Sequence, residues 1–385
     1  MTGLLALPPG AVLLGRVWRA DVGPAVVTLR AGKVIDITSR AAPTVRDTLE
    51  MPDPADFVAN AEGQYLGEAE ALAAASVEAH PGATRLLAPC DLQAIKACGV
   101  TFAGSMLERV IEERAAGDPA RAAGIRERIA GVIGPSLRGL VPGSEKAAEV
   151  KRLLIAEGLW SQYLEVGIGP DAEVFTKAQP MAAVGFGASV GLHPISRWNN
   201  PEPEVVLAVD SGGRIKGATL GNDVNLRDVE GRSALLLGKA KDNNAAAAIG
   251  PFIRLLDAGF ALDDVRRLEL SLEVRGTDGF VMQGRSSMTE ISRDPQDLVD
   301  QTRGRHHQYP DGFMLYCGTM FAPVQDRDGP GQGFTHHLGD VVTVSAPALG
   351  RLTNTVRLAT EALEWTFGSG ALMRNLAVRG LLAAG

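Results

Sequence analysis

Between residues 11 and 38 the runs AVLLGRVW, PAVVTLR and KVIDIT set apolar and β-branched residues in short blocks separated by glycine turns, which predicts a small meandering sheet. An Ala/Glu-rich stretch from 55 to 77 predicts a helix. HPGATRLLAPCDL, with Pro81, Gly82 and Pro89, breaks the pattern. A boundary placed there, near residue 85, divides the chain into a small β-rich N-terminal domain (1–85) and a larger domain (86–385). ACGVTF then predicts a short strand. Gly104 and Ser105 open SMLERVIEERAA, in which Met106, Leu107, Val110 and Ile111 fall on one helical face. Gly117-Asp118-Pro119 ends that helix, a second helical stretch covers 120–131, and Ser144 is placed to N-cap a third from 145 to 157, closed by Gly158. Lying between strands, this helical insert suits a mobile cover over a site. From 163 onward short strands and glycine turns dominate, and VVLAVDSGGRIKGATLG predicts a hairpin turning at Ser211-Gly212-Gly213.

Composition narrows the class. The 385 residues are 45% hydrophobic and 22% charged, ordinary globular values with enough length for two cores. The 45 glycines favour a turn-rich, strand-containing fold over a helical bundle. A net charge of -7 and the lack of any basic run argue against nucleic acid as a partner. The N-terminal MTGLLALPPGAVLLG has no basic n-region and is interrupted by Pro8-Pro9, so no signal peptide is expected, and no stretch is long and apolar enough to span a membrane. Cys90, Cys98 and Cys317 form an odd set without metal-finger spacing, as expected of reduced, buried thiols in a cytoplasmic protein.

The chemistry concentrates in Glu202-Pro203-Glu204, which leads straight into the strand VVLAV. Residues two apart on a strand share a face, so both carboxylates point the same way. Pro203 cannot donate a ladder bond and marks a strand start or edge. A turn centred on Ser211-Gly212 sets Glu204 opposite Thr219 and Glu202 opposite Gly221, with Asp223 a diagonal neighbour of Glu202. Three carboxylates gathered in a partly buried place repel unless a cation or a proton joins them. With oxygen ligands and no nearby His or Cys the expected ion is Mg²⁺, with Mn²⁺ or Ca²⁺ as alternatives and Zn²⁺ disfavoured. Taken alone, Glu-x-Glu also fits a solvated acidic strand edge.

Wider motifs weigh against that reading. PEPEVVLAVDSGGRIKGATLGNDVNLRD, then GKAKDNNAAAAIGP, then YCGTMF, resembles the fumarylacetoacetate hydrolase family in that order. GIGPDAEVFTKAQP, RSSMTEISRDP and HHQYPDGFMLYCGTMFAPVQDRDGPGQGFTHHLGD are similar, more narrowly, to its 2-keto-3-deoxy sugar-acid dehydratase branch, over about residues 95 to 350. The resemblance implies an α+β fold, with a mixed β-roll C-terminal domain beside the smaller β-rich one, and a homodimer or homotetramer. It implies a metal held by Glu202, Glu204 and Asp223, with Glu173 of DAEVF as a further ligand. Lys241 in GKAKD corresponds to the family's active-site lysine, and Gly318-Thr319 to the loop that meets the substrate carboxylate. Ser286 and Ser287 fit either a polar lining for sugar hydroxyls or an ordinary turn.

One departure bears on the reaction. Hydrolases of the family carry a run like G-L-N-Y-x-x-H-x-x-E, whose His and Glu activate water. Here GVTFAGSMLE puts Ser105 at the His position and Glu108 at the Glu position. A serine without an activating partner is no general base near neutral pH, so dehydration is expected in place of carbon–carbon hydrolysis. The implied enzyme is a Mg-dependent hydro-lyase of pentose catabolism that turns a 2-keto-3-deoxy-pentonate into 2,5-dioxopentanoate, with Lys241 and Glu108 moving protons. Against proton transfer by Lys241 stands a plain salt bridge to a site carboxylate, and against Glu108 a solvated helix face. The rival activities are an acylpyruvate-type hydrolase of the same fold and a non-catalytic cation-binding protein.

Other signals carry less. Gly187-Ala188-Ser189-Val190-Gly191 fits G-x-S-x-G, but Pro194 blocks the helix a nucleophile elbow requires. His306-His307 and His336-His337 lack metal-pair spacing. GPGQGF (329–334) lacks the Gly-Lys-Ser/Thr ending of a phosphate loop.

Overall fold

A computed structural model describes residues 3–116, 118, 120–122, 124–125, 139–321 and 323–382. The N-terminal meander is formed by β1 (Leu13–Arg19), β2 (Gly23–Arg30) and β3 (Lys33–Asp36), joined by β4 (Gln64–Glu68) and the short β5 (Arg85–Leu86). The remaining strands follow in chain order. They begin with β6 (Ala94–Gly99), β7 (Glu173–Ala178), β8 (Ser189–Leu192), β9 (Asn199–Asn200), β10 (Pro203–Val209), β11 (Ile215–Asp223) and β12 (Asn225–Leu226). The last are β13 (Ala247–Leu255), β14 (Glu269–Arg275), β15 (Val281–Ser287), β16 (Phe313–Tyr316), β17 (Val341–Ala346) and β18 (Gly350–Leu358).

These strands build a mixed α+β architecture. An 11-stranded sheet runs β4-β3-β2-β1-β13-β11-β10-β16-β6-β7, with β5 on β1. A second sheet runs β15-β14-β17-β18-β8, and β12 pairs β9 in a two-stranded ribbon. The pairings β16 to β6 and β18 to β8 are parallel, which makes both large sheets mixed. Because Leu13 of β1 registers with Arg254 of β13, the large sheet runs unbroken across residue 85.

β14 and β17 alternate buried and exposed residues, as strands covered on one face must, whereas every residue of β10 and β11 is buried. Along β10, Val205, Leu207 and Val209 join the core shared with Leu272, Val344 and Leu352 of the smaller sheet. Val206 and Ala208 face the other way, into a second core with Ile249, Met314 and Tyr316. Glu202 and Glu204 share the parity of Val206 and Ala208, so the strand delivers both carboxylates to that second side.

Two sequence expectations change. The stretch 55–77 is not one helix: helices Pro54–Asn60 and Ala69–Ser76 flank β4. Pairing with β3 overrides the Ala/Glu helix propensity, and Gly63 permits the approach, since a Cβ there would lie 2.4 Å from the Asp36 carbonyl oxygen. The hairpin register also slips by two. Glu204 opposes Gly221 and Pro203 opposes Asn222, because the turn spans five residues after Val209 and the ladder shifts between Ala208 and Val209. A slip of two keeps every side chain on its expected face.

The helical insert follows its sequence signals. Met106, Val110 and Ile111 are buried on the helix Ala103–Ala115, and Ser144 caps Glu145–Ala156 by accepting from the Ala147 N–H at 3.2 Å. Gly158 takes the left-handed conformation expected after that helix. The side chain of Leu107, residues Gly117 and Pro119, and residues 123 and 126–131 of the expected second helix lie outside the described part. Val110, Ile111, Leu154 and Leu164 form a separate apolar cluster that takes in Val100, just after β6, and Trp198, just before β9. Ser189 opens β8, so the G-x-S-x-G match is strand and not an elbow.

Candidate metal and catalytic site

Glu202, Glu204 and Asp223 offer carboxylate oxygens that all lie within 4.8 Å of one another, and all three residues are buried. The hairpin itself sets this geometry. The Asp223 N–H donates to the Glu202 carbonyl at 2.9 Å, placing the two residues directly across from each other. Glu204 sits two residues further along and accepts the Gly318 N–H at Oε2, 2.7 Å away. Gly318 is obligatory at that approach: its φ is +101°, and a Cβ would stand 2.0 Å from Thr101 Oγ1.

Basic side chains thread between the acids. Lys241 ends the helix Leu237–Lys241, and its Nζ lies 2.5 Å from Glu202 Oε2 and 3.2 Å from Asp223 Oδ2. Lys177 of β7, fully buried, lies 2.8 Å from Asp223 Oδ1 and also donates to the carbonyls of Val224 and Lys241. Arg109, on the helix Ala103–Ala115, donates to the other oxygen of Glu202, to Glu112 at 2.7 Å, and reaches Glu230 at 3.2 Å. Arg227 closes the network on Glu112 at 3.0 Å.

Six carboxylates (Glu112, Glu173, Glu202, Glu204, Asp223, Glu230) thus meet four basic groups (Arg109, Lys177, Arg227, Lys241), an excess of two negative charges when all six acids are ionised. Burial, together with Asp223 and Glu202 alongside, pushes the Glu204 carboxyl well above the usual range. Burial works the same way on Glu202, but Arg109 and Lys241 outweigh it and hold Glu202 low. Burial also raises Glu173, and it raises Glu230 to about 7 despite Arg109 and Lys241. A buried all-oxygen donor set carrying two surplus charges fits one hard divalent cation, which would take the place of protons on these acids.

The cavity at these carboxylates is about 10 Å³, room for one ion or one water, and is lined further by Arg109, Glu173, Phe175, Glu230, Lys241 and Thr319. A substrate of several carbons therefore enters only with a shift of a neighbouring segment. Glu173, at the start of β7, lies beside the trio without joining its 4.8 Å cluster. Ser105 is buried in the first turn of its helix and donates to the Phe102 carbonyl at 2.8 Å. Glu108 is buried on the same helix but does not line the cavity; its neighbour Arg109 does. Gly318 gives its N–H to Glu204, and Thr319 lines the cavity with its hydroxyl donating to the Phe321 carbonyl. Ser286 and Ser287 belong to β15, at the outer edge of the smaller sheet, where Ser287 caps the turn at Thr289; neither reaches this cavity. His336 is buried against Asp340 at 3.0 Å, a structural pairing away from any metal cluster among the described residues.

Arg109 and Lys177 escaped the sequence reading because no local spacing ties them to the hairpin, and Glu230 escaped it as well. Only Glu230 carried a signal, lying seven residues after Asp223 in NDVNLRDVE.

Residues 199–357 match the family model described as fumarylacetoacetate hydrolase C-terminal. A probable 2-keto-3-deoxyxylonate dehydratase of Haloferax volcanii is 30% identical over 194 residues, 50% of this chain and 63% of that protein. The 2-dehydro-3-deoxy-D-arabinonate dehydratase of Saccharolobus solfataricus is 28% identical over 185 residues, 48% and 58% respectively, so the chain spans about three-fifths of the length of the curated relatives it matches. In fold it is similar to a 2-keto-3-deoxy-D-arabinonate dehydratase solved with magnesium and 2,5-dioxopentanoate, with a TM-score of 0.62 at 20% identity, over 90% of this chain and 99% of that one. The likeness to the fumarylacetoacetate hydrolase family is thus carried by residues 199–357, the stretch that holds Glu202, Glu204, Asp223 and Lys241.

Proposed function

We propose that this protein is a divalent-cation-dependent hydro-lyase that dehydrates a 2-keto-3-deoxy-pentonate to 2,5-dioxopentanoate, with Mg²⁺ as the ion. The observation that carries the reading is the buried trio Glu202, Glu204 and Asp223 with Lys241 lodged on two of its members. The names of the two curated relatives and the ligands of the solved structure point the same way.

Glu202, Glu204 and Asp223 would hold the cation, with Glu173 beside them as a further ligand. Bound there, a divalent cation supplies Lewis-acid polarisation of the C2 carbonyl, which makes the C3 hydrogens more acidic. Lys241, the basic group on the trio's edge, takes the C3 proton, and the C4 hydroxyl departs as water. Moving the new double bond to C4–C5 gives an enol that ketonises to the C5 aldehyde. Thr319 and the Gly318 loop bound the space in which the acid end of the substrate would sit.

Ser105 supports elimination over hydrolysis. Its hydroxyl is committed to the Phe102 carbonyl, so it brings no water-activating base to the position where the hydrolases keep histidine. We further propose a cytoplasmic homodimer or homotetramer, by analogy with the family; among the described residues no helix is long and apolar enough to cross a membrane.

The test is incubation of the purified protein with racemic 2-keto-3-deoxy-pentonate and Mg²⁺. Formation of 2,5-dioxopentanoate without a second acid is expected. No product with any divalent metal sinks the proposal, and two cleavage products establish the hydrolase in its place.

A further inference from the structure

Eliminating water across C3–C4 needs two proton-handling groups, one to take the C3 hydrogen and one to protonate the departing oxygen. Lys241 supplies the first. The structure assigns the second role to Glu230, a residue outside the metal-ligand set, and so carries the dehydratase reading one step further while resting on it.

The assignment follows from which side chains share the cavity. A proton donor to the leaving group must line the space where the substrate reacts and must not be spent as a metal ligand. Around the trio, the titratable side chains lining the cavity are Arg109, Glu173, Glu230, Lys241 and the buried thiol of Cys98. Arg109 keeps its proton in any protein, and burial and Glu204 push the Cys98 thiol far up, making it a poor acid. Glu173 is taken up by the role of further metal ligand proposed above. Glu230 remains, at the end of the helix Arg227–Glu230, its side chain only 4% exposed and steadied by Arg109 at 3.2 Å from Oε2.

Glu230 is also suited to carry a proton, since burial outweighs its basic neighbours and brings it to about 7. Glu108, one residue before Arg109, lies roughly 100° away around the same helix and is absent from the cavity wall.

The proton accounting closes without any added reagent. Once the charge of its carboxylate partners is neutralised, Lys241 as the free amine takes the C3 proton, the C3–C4 double bond forms as the C4–O bond breaks, and the Glu230 carboxylic acid protonates the oxygen, which leaves as water. The Glu230 carboxylate then takes a C5 hydrogen while the Lys241 ammonium returns a proton to C3, giving the C4–C5 enol. Both groups end as they began, and the enol ketonises by proton exchange with solvent.

The experiment compares wild type, Glu230→Gln and Glu108→Gln in D₂O with Mn²⁺, measuring product formation, hydrogen exchange at C3 by NMR, and Mn²⁺ affinity by EPR. Glu230→Gln should lose turnover by about 100-fold or more while still exchanging C3 hydrogens and binding Mn²⁺ within about threefold of wild type. Glu108→Gln should remain within about tenfold of wild type. The assignment is overturned if Glu230→Gln turns over within about threefold of wild type. It is equally overturned if turnover, exchange and Mn²⁺ binding vanish together, since Glu230 then only shapes the site. A wild type that forms no product overturns the dehydratase reading beneath it, a result separate from an active wild type with an unimpaired variant.

Discussion

Lys241 Nζ lies 2.5 Å from Glu202 Oε2, and its second contact, to Asp223 at 3.2 Å, places one ammonium between two residues of the carboxylate trio. Burial alone would favour a neutral amine, but Asp223, Glu202 and Glu230 overcome it and raise the Lys241 pKa. The salt bridge and the proposed proton-transfer role would then be two stages of one arrangement. The carboxylates keep the amine charged, and whatever neutralises them brings it toward the range of a base.

Lys241→Met separates these stages. The isosteric apolar chain leaves Glu202 and Asp223 with one cation fewer, which should destabilise the protein by about 3–5 kcal/mol when a chelator is present. Mn²⁺ should bind more tightly, because the competing ammonium is gone. Turnover should fall by about 10²–10⁴-fold; a near-normal rate would remove Lys241 from the chemistry and leave it a structural ion pair.

Glu204→Gln should act on stability with opposite signs depending on the ion. The Glu204 pKa lies above its unfolded value, so its folding contribution is present at low pH and is lost as pH rises through the folded pKa. With a chelator near pH 8, the neutral variant should therefore melt higher than wild type. Mg²⁺ at a hundredfold its dissociation constant adds about 2.7 kcal/mol to a protein that binds it, and the variant should gain much less. Calorimetry with and without Mg²⁺ checks both; equal Mg²⁺ increments would take Glu204 out of the ligand set.

Much of this site is readable along the chain because two of its carboxylates lie in one short run at the head of β10. Glu202 and Glu204 are two residues apart, and Asp223 returns on the partner strand, so even a register two residues out left all three on one face. Ser144 and Gly158 likewise bracket their helix, since caps act through neighbouring residues. What the sequence hides is non-local. Lys177 and Arg109 reach Asp223 and Glu202 from 46 and 93 residues away, through β7 and a helix whose phase alone decides that Arg109, and not Glu108, enters the cavity. The strand β4 was hidden for the same reason: its pairing with β3 is tertiary, while its composition favours helix.

His336→Gln should flatten the acid limb of stability. Asp340 accepts from Arg327 at 2.6 Å and lies 3.0 Å from His336 Nδ1, yet burial dominates and lowers the His336 pKa. A depressed histidine contributes stability above its unfolded value of 6.5, lost as pH falls below it because the unfolded chain takes up the proton. Asp340, lowered to about 2 from 3.8, adds its own contribution above 3.8. Between pH 7 and 5, urea denaturation should therefore show wild type losing stability faster than the variant, by up to about 1.4 kcal/mol per pH unit. Parallel slopes would mean that folding leaves the His336 pKa where it lies in the unfolded chain.

Gly99→Ala tests Glu173 as the proposed fourth ligand without replacing a carboxylate. Gly99 of β6 registers directly opposite Glu173 of β7, and a Cβ on it would come within 1.9 Å of Glu173 Oε2 and 2.6 Å of its Cδ. Those atoms are the end of a flexible side chain, so the alanine can be accommodated by swinging the Glu173 carboxylate off the cavity. In a strand, alanine in place of glycine recovers roughly 0.5–1 kcal/mol of backbone entropy, which should leave the melting temperature near that of wild type. If Glu173 completes the cation site, Mn²⁺ affinity should fall by about tenfold or more, matching Glu173→Gln. An unchanged Mn²⁺ affinity in both variants would confine the ion to Glu202, Glu204 and Asp223 and release Glu173 to face the substrate.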